Sequence, residues 1–219
     1  VSHYRHIIWD WNGTLFDDLA VCVSIVNRML AQRAMPGLTR DHYRDVFTFP
    51  VRDYYQAIGF DLIQESLERL SREFVTAYGS LWNECALYPQ TRRVLEHVRN
   101  SGRRQSVLSA LHRDTLINLV QSFDLSHFFE HLMGLDHIHA DSKIEQGRRL
   151  LTLIRHEAAE VLLVGDTLHD VEVAEAIGTA CVLVAHGHQS KARLQQANVS
   201  VVDSLQELIG IIGDIPPEA

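Results

Sequence analysis

The sequence predicts an α/β protein: a parallel sheet with crossover helices, and an all-helical block inserted directly after the first strand. Three observations predict it. Apolar runs of strand length are mostly continuous rather than alternating, as in strands covered on both faces. Segments with apolar residues at three- and four-residue spacing separate these runs, as in helices with one buried stripe. One long stretch, from Thr14 to Leu87, has helical periodicity and no convincing strand.

The strand-length runs are His6–Trp9, Gln105–Ser109, Val161–Val164, Ala180–Val184 and Val199–Val202. Helices are expected over Thr91–Asn100, Arg113–Phe123, Glu145–Arg155 and Val171–Ile177. Gly102 and Gly178 follow two of them, where a left-handed residue ends a helix. Alternation of this kind gives a parallel sheet with crossover helices. In the inserted block, helices are expected at Asp18–Ala34, Arg40–Val46, Arg52–Ile58 and Leu62–Leu81. Met35-Pro36-Gly37, Phe49-Pro50 and Gly59 punctuate them, and Pro89 marks the return to the sheet. The expected division is a core of residues 1–14 and 88–219 and a helical cap of residues 15–87. The cap would cover the strand ends, where ligands sit in open α/β sheets.

The chain has 219 residues, 46% hydrophobic and 22% charged, with a net charge of −8. That length buries a core without disulfide or metal staples. The negative balance argues against a broad basic surface for nucleic acid, but permits a local pocket for a small anion. Cys22, Cys85 and Cys181 are odd in number and widely spaced, the pattern of buried thiols in a reducing compartment. No run approaches the roughly 18 apolar residues that span a bilayer. Val1 to Trp9 is too short and too rich in His and Arg for a secretory leader. Cytoplasm is the expected compartment, and oligomeric state has no signature here.

Chemistry concentrates at strand ends. Ile7-Ile8-Trp9-Asp10-Trp11-Asn12-Gly13-Thr14 is an apolar strand ending in an Asp, then a tight Gly turn. Val161 to Val164 leads into Gly165-Asp166, with Asp170 four residues on. Three acids in one crevice repel one another unless a cation sits among them, and oxygen-rich sites suit Mg²⁺. Helix capping by Asp166 and Asp170 explains one strand end but not two. Ser109 and Ala110 end the second strand run, where a hydroxyl and backbone N–H groups can hold an anion. Lys143, one of only two lysines, lies before a helix after the third strand region.

Together these four segments resemble the haloacid dehalogenase superfamily of hydrolases, and within it the phosphoglycolate-phosphatase-like branch. The resemblance covers essentially the whole chain. It implies a five-stranded Rossmann-like core with strand order 5-4-1-2-3 and an insert closing over the site. It also implies a Mg²⁺-dependent phosphatase acting on a small phosphorylated metabolite, with no nucleic-acid or membrane partner. Asp10 would be the nucleophile, forming an aspartyl phosphate. Ser109 and Lys143 would hold the phosphoryl oxygens, with Gly13, Thr14, Ala110 and His112 beside the substrate. Asp10, Asp166, Asp170 and the backbone carbonyl of Asn12 would surround the metal.

Asn12 is a departure, because phosphatases of this family carry a second Asp two positions after the nucleophile. An amide orients water but exchanges no proton, and acid–base help is worth roughly 10²–10⁴ in rate. His112 and His169 are the candidate replacement shuttles. A phosphate-ligand binder that has lost turnover is the alternative reading. A metal-free haloacid dehalogenase is disfavoured, since it would not need both Asp166 and Asp170 beside the nucleophile. In the cap, Phe47-Thr48-Phe49-Pro50-Val51-Arg52 resembles a substrate-facing loop, with Arg52 a candidate partner for a carboxylate or phosphate. Phe47, Phe49 and Tyr54 are expected in the cap core. Ala185-His186-Gly187-His188-Gln189 is expected as a loop at the rim.

Overall fold

The computed structural model describes residues 4–135 and 142–213. The chain begins with β1 (His6–Trp9) and β2 (Phe16–Asp17). Helices α1 (Leu19–Ala31), α2 (Arg40–Val46), α3 (Val51–Ala57) and α4 (Leu67–Leu81) follow, then β3 (Ala86–Leu87). The rest alternates: α5 (Thr91–Asn100), β4 (Arg104–His112), α6 (Arg113–Ser122), β5 (His131–Leu135), α7 (Ser142–Leu153), β6 (Val161–Gly165), α8 (Leu168–Ile177), β7 (Ala180–Val184), α9 (Lys191–Leu194), β8 (Ser200–Val202) and α10 (Leu205–Ile212).

Six strands form one parallel sheet in the order β5-β4-β1-β6-β7-β8. Counting sheet strands along the chain, this is 3-2-1-4-5 with a sixth at the edge, the expected order plus one. β1 sits at the centre, with Ile7 paired to Gln105 on one side and Leu162 on the other. Its residues face alternate layers. Ile7 and Trp9 pack with Val107, Leu162 and Val164 under α5, α6 and α10, whereas Ile8 packs with Leu108, Leu163 and Val173 under α7 and α8. Burying each such side chain is worth roughly 1.5–3 kcal/mol, and a strand buried on both faces has no polar position to alternate. The buried polar atoms of β1 are paired: Trp9 Nε1 donates to Gln105 Oε1 at 2.9 Å, and His6 Nε2 meets Ser106 Oγ at 2.9 Å.

The inserted helices carry their own apolar cluster: Leu19, Ile25, Val26, Met29, Tyr43, Tyr54, Leu70 and Tyr78 among others. Its two crossings to the sheet are not helical. β2 and β3 pair antiparallel, Phe16 with Leu87 and Asp17 with Ala86, where the sequence shows no strand between Thr14 and Leu87. β5 is the other correction: His131-Leu132-Met133 is only half-buried and is followed by Gly134, so it lacks the continuous apolar signature. The second strand runs on from Ser109 to His112, with its pairing to β5 irregular between Leu108 and His112. α4 starts at Leu67 rather than Leu62 because Ser66 caps it, accepting from Arg69 N–H. α7 and α8 each begin three residues earlier than their periodicity indicates. Gly178 ends α8 in the left-handed conformation (φ 79°), as expected. All three cysteines are free, but only Cys22 is buried; Cys85 and Cys181 are half-buried. No helix among the described residues is long and apolar enough to cross a membrane.

Candidate active site

Asp10 is the first residue past β1, pinned by its N–H to the Val164 carbonyl at 2.8 Å. The chain then turns tightly. Trp11 O accepts from the N–H groups of Leu15 and Phe16, and Gly13 N–H donates to Phe16 O. Gly13 has φ +75°, and a Cβ there would overlap Asp166 Oδ2 and the His188 ring, so no other residue fits. The Gly13 N–H is therefore spent within the turn rather than offered to a ligand. The Thr14 side chain points inward, its hydroxyl shared between Asp10 Oδ2 at 3.3 Å and Asp166 Oδ1 at 3.2 Å.

Asp166 leaves β6 beside Asp10, and its Oδ2 accepts from His188 N–H at 2.6 Å. Gly187 lets that loop approach, since a Cβ on it would overlap Asp166. Asp170 closes the first turn of α8. Its Oδ2 accepts from the N–H groups of Asp166 and Thr167 and from the Thr167 hydroxyl. Lys143, at the start of α7 and almost fully buried, bridges Asp10 Oδ1 at 2.6 Å and Asp170 Oδ1 at 2.7 Å.

One lysine thus serves two of three buried carboxylates, and ligand oxygens of Asp10, Asp166 and Asp170 lie within 4.8 Å of one another. The imbalance appears in their protonation. Burial pushes the Asp10 carboxyl up to about 6 although Lys143 pulls it down. Burial pushes Asp166 up to about 8, with Asp10 and Asp170 adding and the His188 charge opposing. Burial also acts on Asp170, but Lys143 and Thr167 hold it below the ordinary carboxylate value. Lys143 itself stays charged, because Asp10 and Asp170 outweigh the burial that would lower it. The donor set is all oxygen and carries an uncompensated negative charge, which fits a hard divalent cation.

Other expected residues lie at varying remove. Ser109 is buried, its hydroxyl accepting from Leu111 N–H at 3.1 Å, with Ala110 half-buried beside it. His112 is exposed and caps α6 through Asp114 N–H, bonded to no member of the carboxylate cluster. His169 is buried in the first turn of α8, with Nδ1 on Glu172 at 2.9 Å and Nε2 without a hydrogen-bond partner among the described residues. Arg52 is exposed in α3, and no ion pair to Asp53 exists among the described residues. The loop before it does reach the core: the Phe49 ring lies 4.9 Å from that of His169, and Phe47 lies 5.2 Å from His188. Gln189 Nε2 and Arg193 both donate to Phe47 O. Phe47 and Phe49 are thus half-buried at the junction with the core, and only Tyr54 is buried among the cap helices.

Sequence reasoning missed Asp18, Tyr43, Tyr78 and His188. Asp18 reads only as a helix start, and His188 only as a rim loop. In the structure His188 Nε2 pairs with Asp18 Oδ1 at 3.0 Å and Nδ1 meets the Tyr43 hydroxyl at 3.2 Å. Burial alone would lower His188, but Asp18 and Asp166 raise it to about 9. The one available signal was the His-x-His spacing, which needs a partner far away in sequence to be read.

A family model described as haloacid dehalogenase-like hydrolase matches residues 7–184. The chain belongs to that family. Among its curated relatives, the phosphoglycolate phosphatase of Pseudomonas savastanoi pv. phaseolicola is 24% identical, over 93% of this chain and 78% of that one. The tyrosine-protein kinase PtkA of Mycobacterium tuberculosis is also 24% identical, over 94% of this chain and 72% of that one. Two names of different chemistry at one level of identity mean that the site, not the score, must decide the reaction. Among solved structures, a haloacid dehalogenase-like family hydrolase from Streptococcus pneumoniae superposes with a TM-score of 0.82 at 18% identity, covering 97% of this chain and all of that one.

Proposed function

We propose that this chain is a Mg²⁺-dependent phosphatase of a small phosphorylated metabolite, phosphoglycolate-like in class, working through an aspartyl phosphate on Asp10. The observation that carries the reading is the pairing of Asp10 with Lys143 at 2.6 Å beside Asp166 and Asp170. A lone buried acid would be neutral and a poor nucleophile; a lysine on one of its oxygens keeps it an anion. The phosphatase names among the relatives support the same class. The reading places the protein in the cytoplasm.

In this scheme an Asp10 oxygen attacks phosphorus, the ester P–O bond breaks, and the leaving oxygen takes a proton from solvent water as the alcohol departs. Lys143 and the Ser109 hydroxyl, with the Ala110 backbone, hold the phosphoryl oxygens. Water then attacks phosphorus, and the Asp10–phosphate bond breaks. Asp10, Asp166 and the Asn12 carbonyl would hold Mg²⁺, which when bound neutralises phosphoryl charge. Asp170, with both oxygens already engaged by Lys143, Thr167 and Asp166 N–H, orients rather than ligates. Residues 15–87 act as a cap over a core of residues 1–14 and 88–219, with Phe49 against His169 of the core and Arg52 offered to the substrate.

The test is a panel of phosphate esters, phosphoglycolate included, with and without Mg²⁺, together with peptide mapping of the trapped phosphoenzyme. Mg²⁺-dependent release and a phosphoryl group on Asp10 are expected. No release from any ester, with tight binding of beryllium fluoride, would instead leave a phosphate-ligand binder.

A further inference from the structure

The turn after Asp10 meets the inserted helices at a buried polar junction for which the scheme above has no use. Its centre is Asp18, 2% exposed at the head of α1. Four donors converge on this one carboxylate. Asn12 Nδ2 lies 2.7 Å from Oδ2, the Tyr78 hydroxyl 3.0 Å and the Cys22 thiol 3.4 Å, while His188 Nε2 lies 3.0 Å from Oδ1. Asn12 Nδ2 also donates to the Tyr78 hydroxyl at 2.7 Å. The junction therefore ties residue 12 to α1, to α4 and to the loop after β7.

These contacts fix which way the Asn12 amide faces. An ionised carboxylate only accepts hydrogen bonds, so the group turned to Asp18 must be the NH₂ and not the carbonyl. Both amide hydrogens are committed, one to Asp18 and one to Tyr78. A planar amide then directs Oδ1 away from Asp18. Asn12 is half-buried, and no hydrogen bond reaches Oδ1 among the described residues. On that side residue 12 offers an acceptor and nothing else, two residues along from Asp10.

We propose that Asp18 is a positioning residue that locks the Asn12 amide so that Oδ1 accepts a hydrogen bond from the water that attacks the aspartyl phosphate. The proposal rests on the reading of the site as a phosphatase. The step balances without a base at residue 12: water oxygen bonds to phosphorus, the electrons of the broken O–P bond return to the Asp10 carboxylate, and both water protons leave on dihydrogen phosphate. Asn12 orients the water and takes no proton.

The test separates the lock from its purpose. In Asp18→Asn, hydrolysis of the trapped Asp10 phosphoenzyme is expected to slow about 10- to 100-fold, the range for a misplaced reactant. The burst of Asp10 phosphorylation from an aryl phosphate is expected to keep its rate. The Asn12 side-chain NH₂ signals are expected to be protected from hydrogen exchange in the original protein and to lose that protection in Asp18→Asn. His188→Gln removes the ion pair but leaves the Asn12–Asp18 bond, so it should lower Tm while the amide stays protected. Equal slowing of both half-reactions in Asp18→Asn would make Asp18 merely structural and overturn the proposal. So would an Asn12 amide that stays protected without the Asp18 carboxylate. If no ester phosphorylates Asp10 in the original protein, the phosphatase reading falls and the purpose of the lock with it, while amide exchange still decides whether the lock exists.

Discussion

Replacing Asn12 by aspartate exchanges a nitrogen for an oxygen and puts a carboxyl 2.7 Å from Asp18 Oδ2. Asp18 is already ionised: burial works against it, but His188, Asn12 and Tyr78 hold it below its ordinary value. Two outcomes then compete. Two ionised carboxylates at that distance repel by about 6 kcal/mol at an effective dielectric constant of about 20. Taking up a proton at pH 7 costs about 4 kcal/mol for a carboxyl whose ordinary pKa is near 3.9. Protonation wins, and the new O–H bond to Asp18 replaces the one the amide made. The folded variant therefore binds one more proton than the unfolded chain between about pH 4 and about pH 8. Its stability falls as pH rises through that window, by about 1.4 kcal/mol per unit relative to the original protein. Urea melts in Mg²⁺-free buffer should show a deficit of about 1.5 kcal/mol at pH 5 and about 4 kcal/mol at pH 7. Because Asn12 precedes Gly13, intact mass must show that the original protein has not deamidated. A deficit that does not change between pH 5 and pH 7 would refute the reasoning, since residue 12 would then not face an ionised Asp18.

Asp166→Ala should abolish Mg²⁺ binding by calorimetric titration and Asp170→Ala should only weaken it, because both Asp170 oxygens are already engaged; equal losses would make Asp170 a ligand. Lys143→Met should cost the Mg²⁺-free protein about 3 kcal/mol or more, as removing one partner of a buried ion pair does, with part recovered in excess Mg²⁺; denaturant melts with and without the ion decide it. Burial, with nearby His156, His131 and Arg104, holds His6 down to about 3 from an ordinary value of 6.5. The folded state then binds fewer protons, so this stability is present above pH 6.5 and is lost as pH falls toward 3. In His6→Gln the stability curve should be flatter below pH 6.5 by up to about 1.4 kcal/mol per unit, and parallel curves would remove His6 from the account.

The parts of this molecule legible in sequence are those whose cause is local. β1 from Ile7 onward and β6 are buried on both faces, so their residues are continuously apolar, and Asp10 and Asp166 stand out where each run stops. Gly178 has to be where a left-handed residue is needed. β5 escaped because three of its five residues are only partly buried, and β2 and β3 because two residues carry no period. Ser109 was placed at a strand end that lies three residues further on. The junction around Asp18 was illegible for a different reason: Asn12, Asp18, Tyr78 and His188 are neighbours only after α1, α4 and the β7 loop have packed, and nothing in the local sequence of any one of them names the other three.

The two-residue ladder of β2 and β3 has a consequence for what the helical insert can become. The chain enters the insert through Phe16 and comes back through Leu87, and these residues sit opposite one another, with Tyr88 N–H closing on Leu15 O at 3.0 Å. The exit and the entrance are therefore one place. Whatever length of chain lies between them, the sheet sees the same two ends at the same separation, and lengthening a closed loop costs only slowly with its size. Helices can be added, shortened or exchanged above that seam without moving Asp10 or Lys143, so this scaffold can acquire a new entrance while its carboxylates stay where they are.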